Sequence, residues 1–164
     1  VQAARFGGPD ADTPDNVRYR ETVGRHFNKI VFENDLKWPQ WAEDSIVGRE
    51  RRVWVDRTLA WAAARGIPAR GHVMVWPSWR YLPRSLRALE DDPSALGTAV
   101  LAHIADQGAA LGSRLAEWDV VNETYAHHQL LDLLGRDAMA DWFRAAHASA
   151  PLTRLYYNDY TLFS

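Results

Sequence analysis

Short apolar runs recur along this chain roughly forty residues apart, and each is followed by a polar tip and then a helical pattern. The runs are "NKIVF" (Asn28 to Phe32), "RGHVMVW" (Arg70 to Trp76), "EWDVV" (Glu117 to Val121) and "RLYYN" (Arg154 to Asn158). They are rich in β-branched and aromatic residues and do not alternate strictly, as expected of strands buried on both faces of a parallel sheet. "ARFGG" (Ala4 to Gly8) reads as the remnant of an earlier strand. Such a rhythm leaves few choices. The chain is an α/β protein, either a βα-barrel or a doubly wound sheet.

The segments between the runs carry helix punctuation. Thr13-Pro14 places a capping residue before a proline at the first helical position. "ERRVWVDRTLAWAAARG" spaces Val55, Leu59 and Ala62 three and four apart and stops at Gly66. Asp92-Pro93 opens a helix through Leu96, Val100 and Ile104, and Arg136 to Ser149 presents Met139, Trp142, Phe143 and Ala146 on one side. No repeat, low-complexity tract or linker interrupts the pattern, so residues 1–164 read as one structural unit.

Polar or aromatic side chains end every run: Glu33, Asn34 and Lys37; His72 and Trp76; Asn122 and Glu123; Asn158 and Asp159. No G-x-G-x-x-G turn follows a strand, which counts against a dinucleotide site. In a barrel the strand ends converge on one rim, where active sites are built. Singly, each residue has a plain explanation. Glu123 could pair with an arginine, His72 could sit satisfied in the core, Lys37 could be a solvated surface lysine, and Trp76 could be packing. His127-His128 suggests metal, but neighbours point to different sides and no carboxylate or cysteine frames them.

Composition narrows the partners. The net charge is −2 and the basic residues are scattered, so nucleic acid and anionic membrane are poor candidates. No apolar run approaches the roughly 20 residues of a membrane helix. With no cysteine, disulfides and thiol catalysis are excluded. Eight tryptophans are many for this length; packing accounts for most, and those at strand ends can serve as platforms for sugar rings. Amide, carboxylate, imidazole and ammonium groups together suit a neutral, hydroxyl-rich ligand. Nothing resembles a phosphate cradle or a serine nucleophile elbow. Glu123 then stands where a general acid would be useful.

At this point the motifs match a family. "FNKIVFENDLKW", "RGHVMVW", "EWDVVNE" and "LYYNDY", in this order and with helix-sized spacers, resemble glycoside hydrolase family ten, the endo-β-1,4-xylanases. The resemblance covers the whole chain and implies a (β/α)8 TIM barrel, incomplete here, with about the first five βα units and residues 1–164 forming part of the catalytic domain. It implies Glu123 as acid/base and Asn122 as the residue holding the sugar 2-hydroxyl. Glu33, Asn34 and Lys37 become ligands of sugars on the non-reducing side, and His72 and Trp76 walls of that subsite. Asp119, Asn158 and Asp159 support them.

Two positions depart from the family pattern: Pro77 stands where many members carry histidine, and Thr161 where asparagine commonly follows "NDY". A barrel of this type takes about 250 residues. A retaining glycosidase needs a second carboxylate roughly 5–5.5 Å from the first. In the family that nucleophile lies on a later strand, and Glu33 matches a sugar ligand instead. The expected function is endo-acting, retaining hydrolysis of β-1,4-xylan or xylo-oligosaccharide, without metal or organic cofactor, once a C-terminal remainder completes the barrel. The polymeric substrate suggests secretion or a periplasmic location. A non-catalytic carbohydrate-binding relative and a hydrolase of another β-1,4-glycan remain open.

Overall fold

The computed structural model describes residues 1–43 and 45–160. Two helices, α1 (Ala4–Gly7) and α2 (Pro14–His26), precede the first strand, β1 (Ile30–Val31). Helices α3 (Trp38–Trp41) and α4 (Ile46–Ala63) lead to β2 (Ala69–Val75). Two 3-10 turns, Trp79–Tyr81 and Arg84–Leu89, and α5 (Pro93–Leu111) lead to β3 (Glu117–Asn122). Finally α6 (Gln129–Leu134) and α7 (Ala138–Ser149) lead to β4 (Arg154–Asn158). The four strands form one sheet in the order β1-β2-β3-β4, every pair parallel. A doubly wound sheet reverses its strand order at a switch point. Among the described residues the order runs straight on, as it does around a barrel wall.

Each of the four expected runs contains a strand, and the helices lie between them as their punctuation indicates. Asp92 caps α5 by accepting from the Ala95 amide at 3.0 Å. Helix α4 starts earlier than its apolar spacing suggests, because the Ser45 hydroxyl accepts from the Gly48 amide at 3.1 Å. Thr13 does not cap α2 with its side chain; its hydroxyl donates to the Asp10 carbonyl at 2.8 Å. The expected strand remnant at Ala4 to Gly8 is helical instead. Arg57 of α4 donates to the Gly7 carbonyl at 2.7 Å, and Phe6 meets the edges of Tyr19 and Trp61. That tertiary clamp on a short segment outweighs its weak strand pattern.

The core lies where α5 and α7 close over the sheet, with Leu96, Val100 and Ile104 of α5 and Trp142 and Ala146 of α7 buried. Trp38, Trp41, Trp118 and Trp142 are buried, and Trp54, Trp61 and Trp79 pack against the core. Packing therefore explains seven of the eight tryptophans, and Trp76 stands apart at the rim. Trp118 crosses directly over Gly71 of β2: a Cβ there would lie 2.5 Å from the indole nitrogen. His103 of α5 donates through Nε2 to the Met74 carbonyl at 3.0 Å and stacks on Trp38, centroids 4.1 Å apart. Burial pushes the His103 pKa down to about 3, against the pull of the Met74 carbonyl and Asp106. No helix among the described residues is long and apolar enough to cross a membrane.

Gly71→Ala should lower stability by about 1–3 kcal/mol through overpacking against Trp118, read as a lower urea midpoint. His103 sets an acid limit as well. Between pH 6.5 and about 3 the unfolded chain binds a proton that the folded chain refuses. Stability should therefore fall in that window by up to about 1.4 kcal/mol per pH unit as pH drops. His103→Gln, which keeps a donor for Met74, should flatten the urea-midpoint profile there; an unchanged slope would clear His103 of the effect.

Candidate active site

The C-terminal ends of the parallel strands present their side chains at one rim. Asn122 of β3 lies opposite Asn158 of β4 in the register, and His72 of β2 lies opposite Asp119 of β3. Glu123, the residue after β3, has φ +54°, a left-handed conformation unusual for a side-chain-bearing residue. Holding it costs about 1–3 kcal/mol and needs surrounding constraints. Two are present: the Glu123 amide donates to the Asn158 carbonyl at 2.8 Å, and its carbonyl accepts from the His127 amide at 2.9 Å. The sharp turn ends the strand and leaves the carboxylate half-buried, with Oε2 3.8 Å from His127 Nε2.

Lys37 lies close to Glu123. Its ammonium donates to Asn34 Oδ1 at 2.7 Å and sits 5.0 Å from the centroid of the Trp76 ring. Burial lowers the Lys37 pKa, while the carboxylates of Glu33 and Glu123 both pull it back up. The lysine is therefore held within the fields of both acids rather than solvated at the surface. Trp76 stacks on Tyr81 at 3.8 Å, and the imidazoles of His72 and His127 meet the Trp76 ring edge-on at 6.2 and 6.0 Å. The side chain of Glu33 is exposed and accepts from Gln2 Nε2 at 3.0 Å.

Beneath the rim, Asp119 is buried between two cations or cation precursors. One oxygen accepts from Arg70 Nε at 3.0 Å, and the other lies 2.9 Å from His72 Nδ1. Asn122 is buried too: its Oδ1 accepts from Asn158 Nδ2 at 2.7 Å, while its own Nδ2 has no partner among the described residues. Asp159 accepts from the Tyr157 hydroxyl at 2.6 Å and from the Tyr125 amide at 3.3 Å, bracing the turn that carries Glu123. Burial and this carboxylate raise the Tyr157 pKa.

Hollows lie on both sides of this wall. A groove of about 740 Å³ includes Asn34, Lys37 and Tyr81, and a cavity of about 420 Å³ includes Tyr125, Tyr157 and Asp159. Of the sequence-derived residues, the structure brings Asn34, Lys37, Trp76 and His72 into successive contact, with Glu33 and Glu123 in the field of Lys37, Asp119 against His72, and Asn122 paired with Asn158. Two neighbours, Tyr81 and His127, escaped the sequence reading. Tyr81 ends a three-residue 3-10 turn, too short to leave a spacing signal. His127 stands four residues after Glu123, a legible helical interval, but in the sequence its adjacency to His128 is the more conspicuous feature. The two imidazoles do diverge, His128 turning to Asp132 at 2.8 Å. At the family departure, Pro77 contributes no imidazole; its carbonyl accepts from the Leu130 amide at 3.2 Å, and the imidazole of His127 reaches Trp76 from the next loop. Thr161 lies outside the described residues.

Comparison with known proteins places this geometry in context. The family model described as Glycosyl hydrolase family 10 matches residues 6–164. The endo-1,4-beta-xylanase 5 of Pyricularia oryzae is 32% identical over 142 residues, covering 83% of this chain and 34% of its own. Endo-1,4-beta-xylanase B of Paenibacillus barcinonensis is 28% identical over 155 residues, covering 85% of this chain and 45% of its own. A family 10 endoxylanase structure from a sugarcane soil metagenome superposes with a TM-score of 0.80 at 26% identity, over 98% of this chain and 47% of that one. Native xylanase 10B from Thermotoga maritima gives 0.79 at 25% identity, over 93% and 48%. These neighbours are (β/α)8 barrels, and the present chain spans about half the length of the solved ones.

Removing the buried carboxylate in Asp119→Ala leaves the Arg70 guanidinium without its closest partner. The variant should lose about 3 kcal/mol in urea unfolding. A loss below about 0.5 kcal/mol, the range of a neutral surface change, would count against Asp119 as the anchor of His72 and Arg70.

Proposed function

This chain belongs to glycosyl hydrolase family 10, and on that footing we propose that residues 1–164 are part of the catalytic domain of an endo-acting, retaining β-1,4-xylan hydrolase. The observation that carries the reading is the placement of Glu123, a half-buried carboxyl on a left-handed turn beside Trp76, Lys37 and His127. In this reading the Glu123 carboxyl gives its proton to the glycosidic oxygen as the bond to the anomeric carbon breaks and a second carboxylate attacks that carbon from the other face. The Glu123 carboxylate then takes a proton from water, the resulting hydroxide equivalent attacks the anomeric carbon, and the glycosyl ester is released. Protonation and carboxylate attack complete the cycle, so no step calls for a metal or organic cofactor.

The other residues divide the work of holding sugar. The Asn122 amide donates to the 2-hydroxyl of the sugar under attack, its orientation fixed by Asn158. Lys37, Asn34 and Glu33 bind hydroxyls on the non-reducing side, and Trp76 and His72 form the wall against which those rings lie. Asp119 aims His72, and Asp159 steadies the Glu123 turn. Glu33 is not assigned as nucleophile: it already shares Gln2 and the field of Lys37. We assign the nucleophile to barrel residues outside these 164, as the half-length match to the solved xylanases suggests. A polymeric substrate places such an enzyme outside the cytoplasm.

In an enzyme carrying the whole barrel, Glu123→Gln should reduce sugar release from xylan by about 10²–10⁴-fold. An activated aryl xyloside, whose leaving group needs no proton, should lose far less in its first, bond-breaking step. Turnover of xylan at the wild-type rate would remove Glu123 from the acid/base role. Tight binding of xylo-oligosaccharides with no hydrolysis by that same whole-barrel protein would favour a purely binding module, and preference for cellulose or mannan would shift the substrate. The 164 residues alone should bind without cleaving; turnover by them that disappears with Glu123→Gln would overturn the assignment of the nucleophile.

A further inference from the structure

The proposed chemistry gives His127 no task, although its Nε2 lies 3.8 Å from Oε2 of Glu123. Among the described residues it is the only cation-forming group within ion-pair distance of that carboxyl. Lys37 acts on Glu123 from farther away, through its field. Both members of the His127–Glu123 pair are half-buried. The neighbouring pair differs: His128 and Asp132 have the same spacing and a shorter contact, 2.8 Å, but both are exposed, where such a pair contributes little.

The imidazole of His127 is fixed by rings and by backbone. It meets Trp76 edge-on at 6.0 Å and Tyr81 at 5.2 Å, with the latter two planes 87° apart. Tyr81 is itself stacked on Trp76 at 3.8 Å, so the imidazole sits in the corner of a packed aromatic pair. The His127 amide donates to the Glu123 carbonyl at 2.9 Å, closing one helical turn that joins the two residues. Donor and carboxyl thus ride on the same turn, and their separation is set locally.

In the proposed reaction Glu123 changes its charge. It is neutral before the glycosidic bond breaks and ionised once the proton has left, and its oxygens must face the same place in both states. An ionised carboxylate gains most from a hydrogen-bond donor. Contacts at catalytic groups are often long before substrate binds and tighten in the complex. The gap of 3.8 Å needs to shorten by about 0.6–1 Å to reach hydrogen-bond length. We propose that His127 is a positioning residue for Glu123: its Nε2–H donates to the carboxylate as the proton leaves and keeps that group aimed at the bond being cleaved. The proposal rests on the acid/base reading of Glu123 and deepens it by naming the group that orients it.

The test uses the enzyme carrying the whole barrel and two substrates: xylan, whose leaving group needs the proton, and an activated aryl xyloside, whose first step does not. His127→Phe keeps a ring against Trp76 and Tyr81 but removes the donor. It should lower kcat on xylan about ten-fold, the effect of one hydrogen bond to a charged group, while KM changes by less than about two-fold. The first step on the aryl xyloside should lose far less. His127→Gln, which restores a donor at similar reach, should recover most of the xylan rate. Equal loss on both substrates, no loss on xylan, or no recovery with glutamine would overturn the positioning role. Glu123→Gln, measured alongside, keeps the two ideas apart. If it separates the substrates and His127→Phe does not, this inference alone falls; if Glu123→Gln fails to separate them, the acid/base reading falls as well.

Discussion

The parallel pairing of β3 between β2 and β4 is the constraint on which the site depends. β3 is buried along its whole length, and its register sets Asp119 across from His72 and Asn122 across from Asn158. A slip of one residue would exchange the faces of every side chain on the strand. Glu123 would then leave the rim, and Asp119 would lose both Arg70 and His72. Packing enforces the register from outside: Trp118 covers Gly71 so closely that no side chain would fit there.

From this frame the electrostatics follow. The strand and the residue after it carry several polar groups, and Asp119, Asn122 and Glu123 are accommodated in different ways. Asp119 is matched by a guanidinium and an imidazole. Asn122 is matched on its oxygen by Asn158, while its buried nitrogen has no partner among the described residues. Glu123 stays half-buried on a backbone turn that most residues avoid, anchored at each side by a main-chain hydrogen bond. Buried polar groups are costly when unsatisfied, and the Asn122 amide nitrogen is such a group among the described residues.

The loops add what the strands cannot. Tyr81 comes from a 3-10 turn after β2 and His127 from the segment after β3; they meet at Trp76. The aromatic wall is thus assembled from separate crossovers, which is how a barrel rim varies its specificity while the strands stay constant.

Much of this was legible in the residues alone. Apolar runs at roughly forty-residue intervals required a parallel α/β sheet, because strands buried on both faces need helices between them. The polar tips marked the rim, and "WDVVNE" with its companion motifs pointed to the family that the comparisons identify. Local pattern failed at Ala4 to Gly8, where Arg57 from a distant helix holds a helical turn. It also passed over Tyr81 and His127, whose importance is set by the ring they touch rather than by linear spacing. Periodicity and motif are properties of neighbours along the chain, so the sequence determines which elements form and which residues end them. Which side chains share a field, a stack or a groove depends on contacts between segments far apart in sequence, and only the folded sheet decides those.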